Sequence, residues 1–406
     1  MKKDYTLLSL DPMYSPLHEH IADIVAKKKY AVTSCRSKRI YLPTFKMTLA
    51  TSLINSVKAP VDEGLLNKIT SLSTYHHAYA KKVEGRRLTA SELNYMAKFY
   101  LGLKEFITTK GVNLVVLHND TRWYHAIAVM LCKELEIQYL VTEQGLIRPN
   151  TTVIDNQGVN ATANVGLLDK EVASSAPFRV KHGHDSRKSK AFFCLFLSLF
   201  FIEKKLASKG ILSYMHNGYS IRKYLRRTLN IRYKQNFDDV EVNTKSVLLL
   251  LQLESDSQFL MYSSFFSNQD LIDKVEHFCT INNLNLLIKK HPLDDSGYQI
   301  KPSSNLVSGS VKQLAKEVKL VISINSSAII TVLSTATPLY IIGDSSYKYK
   351  NIATHSSISD ISLLEKQDIA LRKEYLNKLK KNYLVYGAGY SYKSELLENK
   401  LNQLLV

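Results

Sequence analysis

Past the first hundred residues, short runs of wholly apolar positions alternate with longer stretches whose apolar positions recur every three or four residues. Asn113–His118 (NLVVLH) reads as a strand, Arg122–Leu135 as a helix and Ile137–Thr142 (IQYLVT) as the next strand, which leaves Glu143–Asn160 as a loop at its carboxyl end. The pattern restarts at Ser246–Gln252 (SVLLLLQ). It continues through a helix near Asn268–Asn282, a strand Asn285–Lys289 and a helix over Val311–Val318, then a strand Leu320–Ile324, a helix from about Ser326 and a strand Leu339–Gly343. Ile361–Leu384 reads as helical and Ser394–Val406 as a closing helix. Such alternation predicts βαβ units on parallel sheets, an α/β class in which ligands bind outside the carboxyl ends of strands. The expected organisation is two Rossmann-like domains, 1–177 and 241–360. A linking region, 178–240, lies between them, and C-terminal helices in 361–406 pack across both.

The most apolar run, Ala191–Ile202 (AFFCLFLSLFFI), lies in that linking region and falls short of the roughly 20 residues that span a bilayer. Arg179, Lys181, Arg187, Lys188 and Lys190 precede it, and Lys204, Lys205 and Lys209 follow. This layout suits a helix lying on an anionic membrane surface; a buried core helix with solvated flanks fits it equally. A second basic cluster, Arg222, Lys223, Arg226, Arg227, Arg232 and Lys234, follows closely. The chain has 406 residues, 54 Lys+Arg against 36 Asp+Glu and a formal charge of +18. That excess attracts anionic surfaces and substrates, but no nucleic-acid module accompanies it. With 45% hydrophobic residues, 15 Gly and 9 Pro, a disordered or collagen-like chain is excluded. Cys35, Cys132, Cys194 and Cys279 lie too far apart for a Cys-based zinc site or a disulfide framework, and the N-terminus does not read as a secretory signal, so a reducing, cytoplasmic location is expected.

Three strand exits carry candidate chemistry. In Glu143-Gln144-Gly145-Leu146-Ile147-Arg148, a carboxylate can activate a hydroxyl and an arginine can hold a carboxylate, although a structural Glu–Arg pair uses the same residue types. Gln252-Leu253-Glu254-Ser255-Asp256-Ser257-Gln258 offers a nucleophile with hydrogen-bonding neighbours. Glu254-Ser255-Asp256 superficially matches an acidic metal-holding triplet, but no further oxygen ligands are assignable, so no metal is expected. Lys289-Lys290-His291-Pro292 ends a strand with cationic and imidazole groups suited to a phosphate, or merely bends the chain. Asn325-Ser326-Ser327 stands at a strand-to-helix junction, where hydroxyls and free N–H groups cradle phosphate or simply cap the helix. Asp294-Asp295-Ser296-Gly297 is a turn, and no glycine-rich dinucleotide or Walker loop is present.

These residues carry a resemblance. HNDTRWYH (His118–His125), EQGLIRPNTTVIDNQGVN (Glu143–Asn160), LQLESDSQ (Leu251–Gln258), KKHPLD (Lys289–Asp294), SINSSAIITVLSTATPLYIIG (Ser323–Gly343) and YGAGY (Tyr386–Tyr390) occur in order, and together they resemble the capsule polysaccharide synthesis family. The likeness is strongest to its bacterial β-Kdo transferases of the capsule lipid-linker pathway. The resemblance implies a GT-B-like arrangement, CMP-Kdo as donor, and retention of configuration without metal or other cofactor. It implies Asp256 as nucleophile and Glu143 as base toward the acceptor. His291 would contact the CMP phosphate, with Pro292 beside it, and Asn325, Ser326 and Ser327 would form the cradle. Arg148 or Lys290 would pair with the Kdo carboxylate, and Gln252 and Gln258, neighbours of the nucleophile, are further donor-binding candidates. Asp120, Arg122 and Asn160 are further candidates in the first two blocks. The chain departs from the family pattern at Gln144, where a second acid is usual, at Leu146, where an aromatic is usual, and at Leu250, where proline is usual. The expected partners are a CMP-activated sugar, a lipid or lipid-linked glycan acceptor, an anionic membrane surface and capsule assembly proteins, with no nucleic acid. Transfer of another CMP-activated nonulosonic acid, or a non-catalytic role in capsule assembly or export, fits the same blocks.

Overall fold

The computed structural model describes residues 4–12, 14–148, 150–172, 186–213, 242–363 and 367–405. Arg179, Lys181 and the Arg222–Lys234 basic cluster lie outside the described residues. Two compact units emerge, the first from Met1–Val159, Asp169–Ser220 and Lys380–Val406, the second from Asn160–Leu168 and Ile221–Leu379.

The first unit opens with β1 (Tyr5–Leu10), α1 (Leu17–Val25), β2 (Ala26–Thr33), β3 (Lys46–Leu49) and α2 (Ala50–Ser56). It continues with α3 (Glu63–Thr70), α4 (Tyr75–Lys82), α5 (Ala90–Lys110), β4 (Leu114–His118), α6 (Trp123–Glu134), β5 (Gln138–Gln144), β6 (Thr151–Asp155) and α7 (Ser186–Leu206). The first hundred residues, where the apolar pattern gave no clear elements, thus contain three strands and most of five helices. The long α5 is fixed at both ends. Thr89 and Glu92 form a reciprocal capping box, and Gly111 closes the helix in the left-handed conformation at φ 61°.

The second unit runs β7 (Ser246–Leu250), α8 (Ser257–Tyr262), α9 (Asn268–Ile281), β8 (Asn285–Lys289), β9 (Ser304–Leu306), α10 (Val311–Glu317) and β10 (Leu320–Ser323). It ends with α11 (Ile329–Val332), β11 (Leu339–Ile341), β12 (Thr354–His355) and α12 (Ile369–Lys378). The chain then returns to the first unit with β13 (Leu384–Ala388), β14 (Ser391–Tyr392) and α13 (Ser394–Leu404).

Both sheets have the Rossmann strand order. The eight-stranded sheet runs β14-β13-β6-β5-β4-β1-β2-β3, and the six-stranded sheet runs β12-β11-β10-β7-β8-β9. The second sheet is parallel throughout. The first is parallel from β3 to β5 and antiparallel beyond. Each order reverses direction once, between β1 and β4 and between β7 and β10, and such a switch point opens a crevice at the strands' carboxyl ends. The strands flanking the reversals are buried almost without interruption: Leu114–His118 and Ser246–Leu250 are buried at every position. Runs of this kind are what sheets covered on both faces require.

The structure corrects two sequence expectations. Glu143–Asn160 is not all loop: Glu143 and Gln144 finish β5, and Thr151–Asp155 forms β6 antiparallel to it. The polar residues of β6 are buried because each has a partner: Thr152 Oγ1 donates to the Gly387 carbonyl at 2.9 Å, and the Tyr383 hydroxyl donates to Asp155 Oδ2 at 3.0 Å. Ile361–Leu384 is not one helix. Asp368 caps α12 by accepting from the Ala370 and Leu371 amides, and a π turn over Leu379–Tyr383 leads into β13.

Candidate functional site

In the second unit the switch point gathers the exits of β7 and β10. Gln252 Oε1 accepts from the Asn325 backbone N–H at 3.1 Å, and Asn325 Nδ2 donates to the carbonyls of Gln258 (3.2 Å) and Asp344 (2.9 Å). Gln252 is held from its other side, where its carbonyl accepts from Asn268 Nδ2 at 2.8 Å. Asn268 Nδ2 in turn meets the Tyr298 hydroxyl at 3.0 Å, and that hydroxyl donates to Asp294 Oδ2 at 2.7 Å. Gln252 and Asn325 through their side chains, and Gln258 through its main-chain carbonyl, are therefore struts of one network that fixes the strand exits relative to one another. Asn268, Tyr298 and Asp344 belong to the same lattice and were not singled out from the sequence.

On this frame stands Asp256, exposed at the start of α8, with Oδ1 accepting from the Gln258 N–H at 2.9 Å. One carboxylate oxygen thus serves as an N-cap. Gly343, beside the frame, has no room for a side chain: a Cβ would sit 2.6 Å from Ile324 Cγ2 and 2.7 Å from the Tyr262 carbonyl oxygen. Ser326 and Ser327 form the turn entering α11, where Ser326 Oγ accepts from the Ala328 N–H at 3.2 Å and the Tyr347 hydroxyl donates to the Ser326 carbonyl at 3.4 Å. The helix expected from Ser326 is only Ile329–Val332.

His291 follows β8. Its Nδ1 accepts from the Leu293 N–H at 3.1 Å, which leaves the proton of a neutral ring on Nε2, the tautomer suited to donating to an anion. Pro292 is exposed in the same turn. Lys290 donates to the Ser296 carbonyl and stands 5.3 Å over the Tyr298 ring, so its ammonium is tied into the Asp294–Gly297 turn.

The first unit carries a second polar edge at its own switch point. Glu143 Oε2 accepts from Asn119 Nδ2 at 2.7 Å, its Oε1 accepts from the Gln144 N–H at 2.8 Å, and His118 Nε2 lies 3.8 Å from Oε1. Gly145 permits the tight turn after β5, since a Cβ there would lie 2.6 Å from the Thr151 carbonyl carbon. Arg148 is exposed in that turn. Arg122 occupies the N-cap position of α6 and its Nη1 donates to the Tyr124 hydroxyl at 3.3 Å, while Asp120 Oδ2 accepts from the Val159 N–H at 3.4 Å. Asn160 is counted with the second unit, at φ 59°.

Beneath Glu143 lies a buried network that sequence reading missed. Ser9 Oγ pairs with His18 Nδ1 at 2.8 Å, and His18 Nε2 with Thr142 Oγ1 at 3.2 Å. Thr142 Oγ1 donates to the Leu117 carbonyl and reaches His118 Nδ1 at 3.4 Å. Asp11 Oδ1 accepts from the Ser34 N–H at 2.8 Å and its Oδ2 from the Tyr124 hydroxyl at 3.1 Å. Burial, reinforced by the Arg122 and Lys38 charges, pushes His118 down to about 3. Burial likewise holds His18 and His125 well below the ordinary histidine range, so all three rings are neutral at pH 7. Asp11 and Asn119, at the ends of β1 and β4, adopt φ 42° and 63°. Asp and Asn tolerate the left-handed region better than other side-chain-bearing residues, so an Asp or Asn immediately after an apolar strand was the available sequence signal.

The profile described as "Capsule polysaccharide biosynthesis protein" matches residues 113–390. The chain belongs to the capsule polysaccharide biosynthesis family. The family match contains every candidate named from the sequence, whereas Asp11, His18 and Lys38 precede it. Two relatives, both named capsule polysaccharide modification protein LipB and both from Neisseria meningitidis (serogroup B strain MC58 and serogroup A strain Z2491), are 25% identical over 224 residues. Each alignment covers 47% of this chain and 50% of the relative, so the chain spans half the length of these curated relatives. Among solved structures, the β-Kdo 2,7 transferase of Thermosulfurimonas dismutans KpsC is similar at 12% identity and TM-score 0.41, with 98% of this chain and 99% of that chain covered. The β-Kdo 2,4 transferase of the same protein is similar at 14% identity and TM-score 0.38, covering 68% and 82%. Among the described residues, no group of three or more His, Cys, Asp or Glu side chains is placed to hold a metal ion, and no helix is long and apolar enough to cross a membrane.

Proposed function

We propose that the chain is a glycosyltransferase of capsule biosynthesis that moves Kdo from CMP-Kdo onto a lipid or lipid-linked glycan acceptor with retention of configuration and without a metal. In this reading Asp256 attacks the anomeric carbon as its bond to the CMP phosphate oxygen breaks, giving a Kdo ester and free CMP. An acceptor hydroxyl then displaces the Asp256 carboxylate and gives its proton to Glu143, and two inversions yield retention. His291, Ser326 and Ser327 would receive the phosphate, and Arg148 or Lys290 the Kdo carboxylate. The protein would work at the cytoplasmic face of the membrane, where an anionic lipid surface and capsule assembly proteins are its expected partners.

What supports the reading is that Asp256, His291 and Ser326 follow β7, β8 and β10, three neighbouring strands, at their carboxyl ends in a unit with Rossmann order, in a chain of a capsule biosynthesis family. The test is CMP release from CMP-Kdo by purified protein supplied with a lipid extract of capsule-producing cells, with intact-mass analysis for an adduct. Lipid-dependent release that disappears in Asp256→Asn, and a Kdo-sized adduct mapped to Asp256, are expected. Donor competition with CMP-sialic acid separates Kdo from other nonulosonic acids. CMP binding without release in any extract would instead favour a non-catalytic assembly or export factor, the reading to which Gln144, in place of the usual second acid, points.

A further inference from the structure

Helix α7 is apolar on two sides and covered on one. Phe196 and Phe200 are buried against Cys35 and Tyr41 of the first unit, with Tyr14, Ile40 and Ile211 packed around them. On a different side, Leu195, Leu199, Ile202 and Leu206 are 47, 37, 55 and 79% exposed. At 3.6 residues per turn these four fall within an arc of about 60°, a continuous stripe along the helix. Among the described residues of the first unit, the only other large apolar side chain so exposed is Val83.

The charges around the stripe are of one sign. Arg187, Lys188 and Lys190 precede it and Lys204, Lys205 and Lys209 follow, all exposed. The one acid in this stretch, Glu203, is turned inward: Oε1 accepts from the Arg36 N–H at 2.7 Å, and Oε2 accepts from the Ser37 N–H at 2.9 Å and from its hydroxyl. By the same count Lys188 falls on the line of the stripe and Arg187 and Lys205 stand about 90° to one side of it, whereas Lys190 and Lys204 lie on the far side, so the stripe is flanked near both ends by cations and, within α7, by no outward carboxylate. Such a surface complements the boundary between headgroups and acyl chains of an anionic bilayer, which takes up the apolar stripe while lipid phosphates meet the ammonium groups.

We propose that α7 is the docking surface that seats the first unit on an anionic bilayer, with Leu195, Leu199, Ile202 and Leu206 entering the interface and the flanking Arg187 and Lys205 reaching lipid phosphates. The proposal deepens the lipid-acceptor reading, and rests on it only for the purpose of docking.

The experiment sediments the purified full chain with vesicles of phosphatidylcholine plus phosphatidylglycerol and with vesicles of phosphatidylcholine alone, at low and high salt. The test variants are Leu199→Glu with Ile202→Glu, and Arg187→Gln with Lys205→Gln; Val83→Glu is the surface control. Thermal unfolding and CMP binding are followed in parallel. The expected result is salt-weakened binding to the anionic vesicles that falls about tenfold in the Leu199/Ile202 variant. The Arg187/Lys205 variant should bind more weakly with a shallower salt dependence, and the control should bind as wild type, all with unfolding unchanged. Wild-type-like binding by the Leu199/Ile202 variant, or no binding of the wild type to anionic vesicles, overturns the proposal. So does conversion of a dimer to a monomer in that variant with vesicle binding intact, which would make a second copy the occupant. Because no sugar donor is present, failure of the transferase reading leaves the vesicle result standing, and loss of vesicle binding with CMP binding retained leaves the donor chemistry standing.

Discussion

Asp256 has two separable duties. Its Oδ1 caps α8 whatever chemistry the carboxylate performs. Asparagine caps a helix as well as aspartate, so Asp256→Asn should leave urea unfolding unchanged while abolishing CMP release, whereas Asp256→Ala should add a loss of about 1 kcal/mol of stability. Equal destabilisation by both variants, with activity retained in the asparagine form, would reduce Asp256 to a cap. The same scale shows how the site was legible. Asp256, His291 and Glu143 could be singled out as candidates because each is a chemistry-bearing residue at, or within six residues of, the end of a strand with a buried apolar core. Gln252 and Asn325 were read as donor contacts, yet their described bonds run to backbone groups of the surrounding frame. Residue type alone does not distinguish a polar side chain facing a ligand from one holding two strand exits together.

Among the elements, strand Asn285–Lys289 was read to the residue, and the strand–helix–strand run from β4 to β5 to within two residues, because uninterrupted apolar runs have few alternatives. β13 escaped because it pairs with β6 across more than two hundred residues of sequence, and β6, although it also pairs with the nearby β5, begins with two threonines and ends on aspartate, which gives no apolar run to mark it. Helix α12 shows a further kind of long-range closure. Arg372 is fully buried, and among the described residues no carboxylate pairs with it: Nε donates to the Ile352 carbonyl at 2.8 Å, and Nη1 donates to those of Thr335 (2.8 Å) and Thr337 (2.9 Å). Burial alone lowers its guanidinium to about 10, still charged at neutral pH. Arg372→Met would strand three buried carbonyls, and at 1–3 kcal/mol for each lost partner we expect the second unit to lose at least about 3 kcal/mol in urea unfolding. A change below about 1 kcal/mol would mean that water replaces the guanidinium.

The whole molecule should be acid-sensitive through its histidines before its carboxylates titrate. His18, His118 and His125 at the first unit's edge are joined by His77, which burial lowers to about 4. Each folded-state value lies below the unfolded 6.5, so the unfolded chain binds more protons. Stability is therefore complete above pH 6.5 and declines as the pH falls toward the folded values, each histidine contributing up to about 1.4 kcal/mol per pH unit. Lys400, lowered to about 7 by burial, acts in the same direction at higher pH, adding stability as the pH rises above 7. Melting temperature should fall steadily from pH 6.5 to 5, and a flat profile there would contradict the neutral, buried rings. A second expectation concerns the chain path. Ending the chain at Leu379 removes β13, β14 and α13, uncovers the β6 edge, and should destabilise the first unit far more than the second, as read by hydrogen exchange in each sheet.

That chain path also orders events during synthesis. Nearly all of the second unit is one uninterrupted stretch, so it can fold as soon as it clears the ribosome. The first unit, although translated earlier, keeps one flank of β6 unpaired until the final segment emerges. The nascent protein would then carry an open sheet edge for as long as synthesis takes to run from β6 to β13, and co-translational chaperones would be needed there rather than at either cluster of candidate catalytic residues.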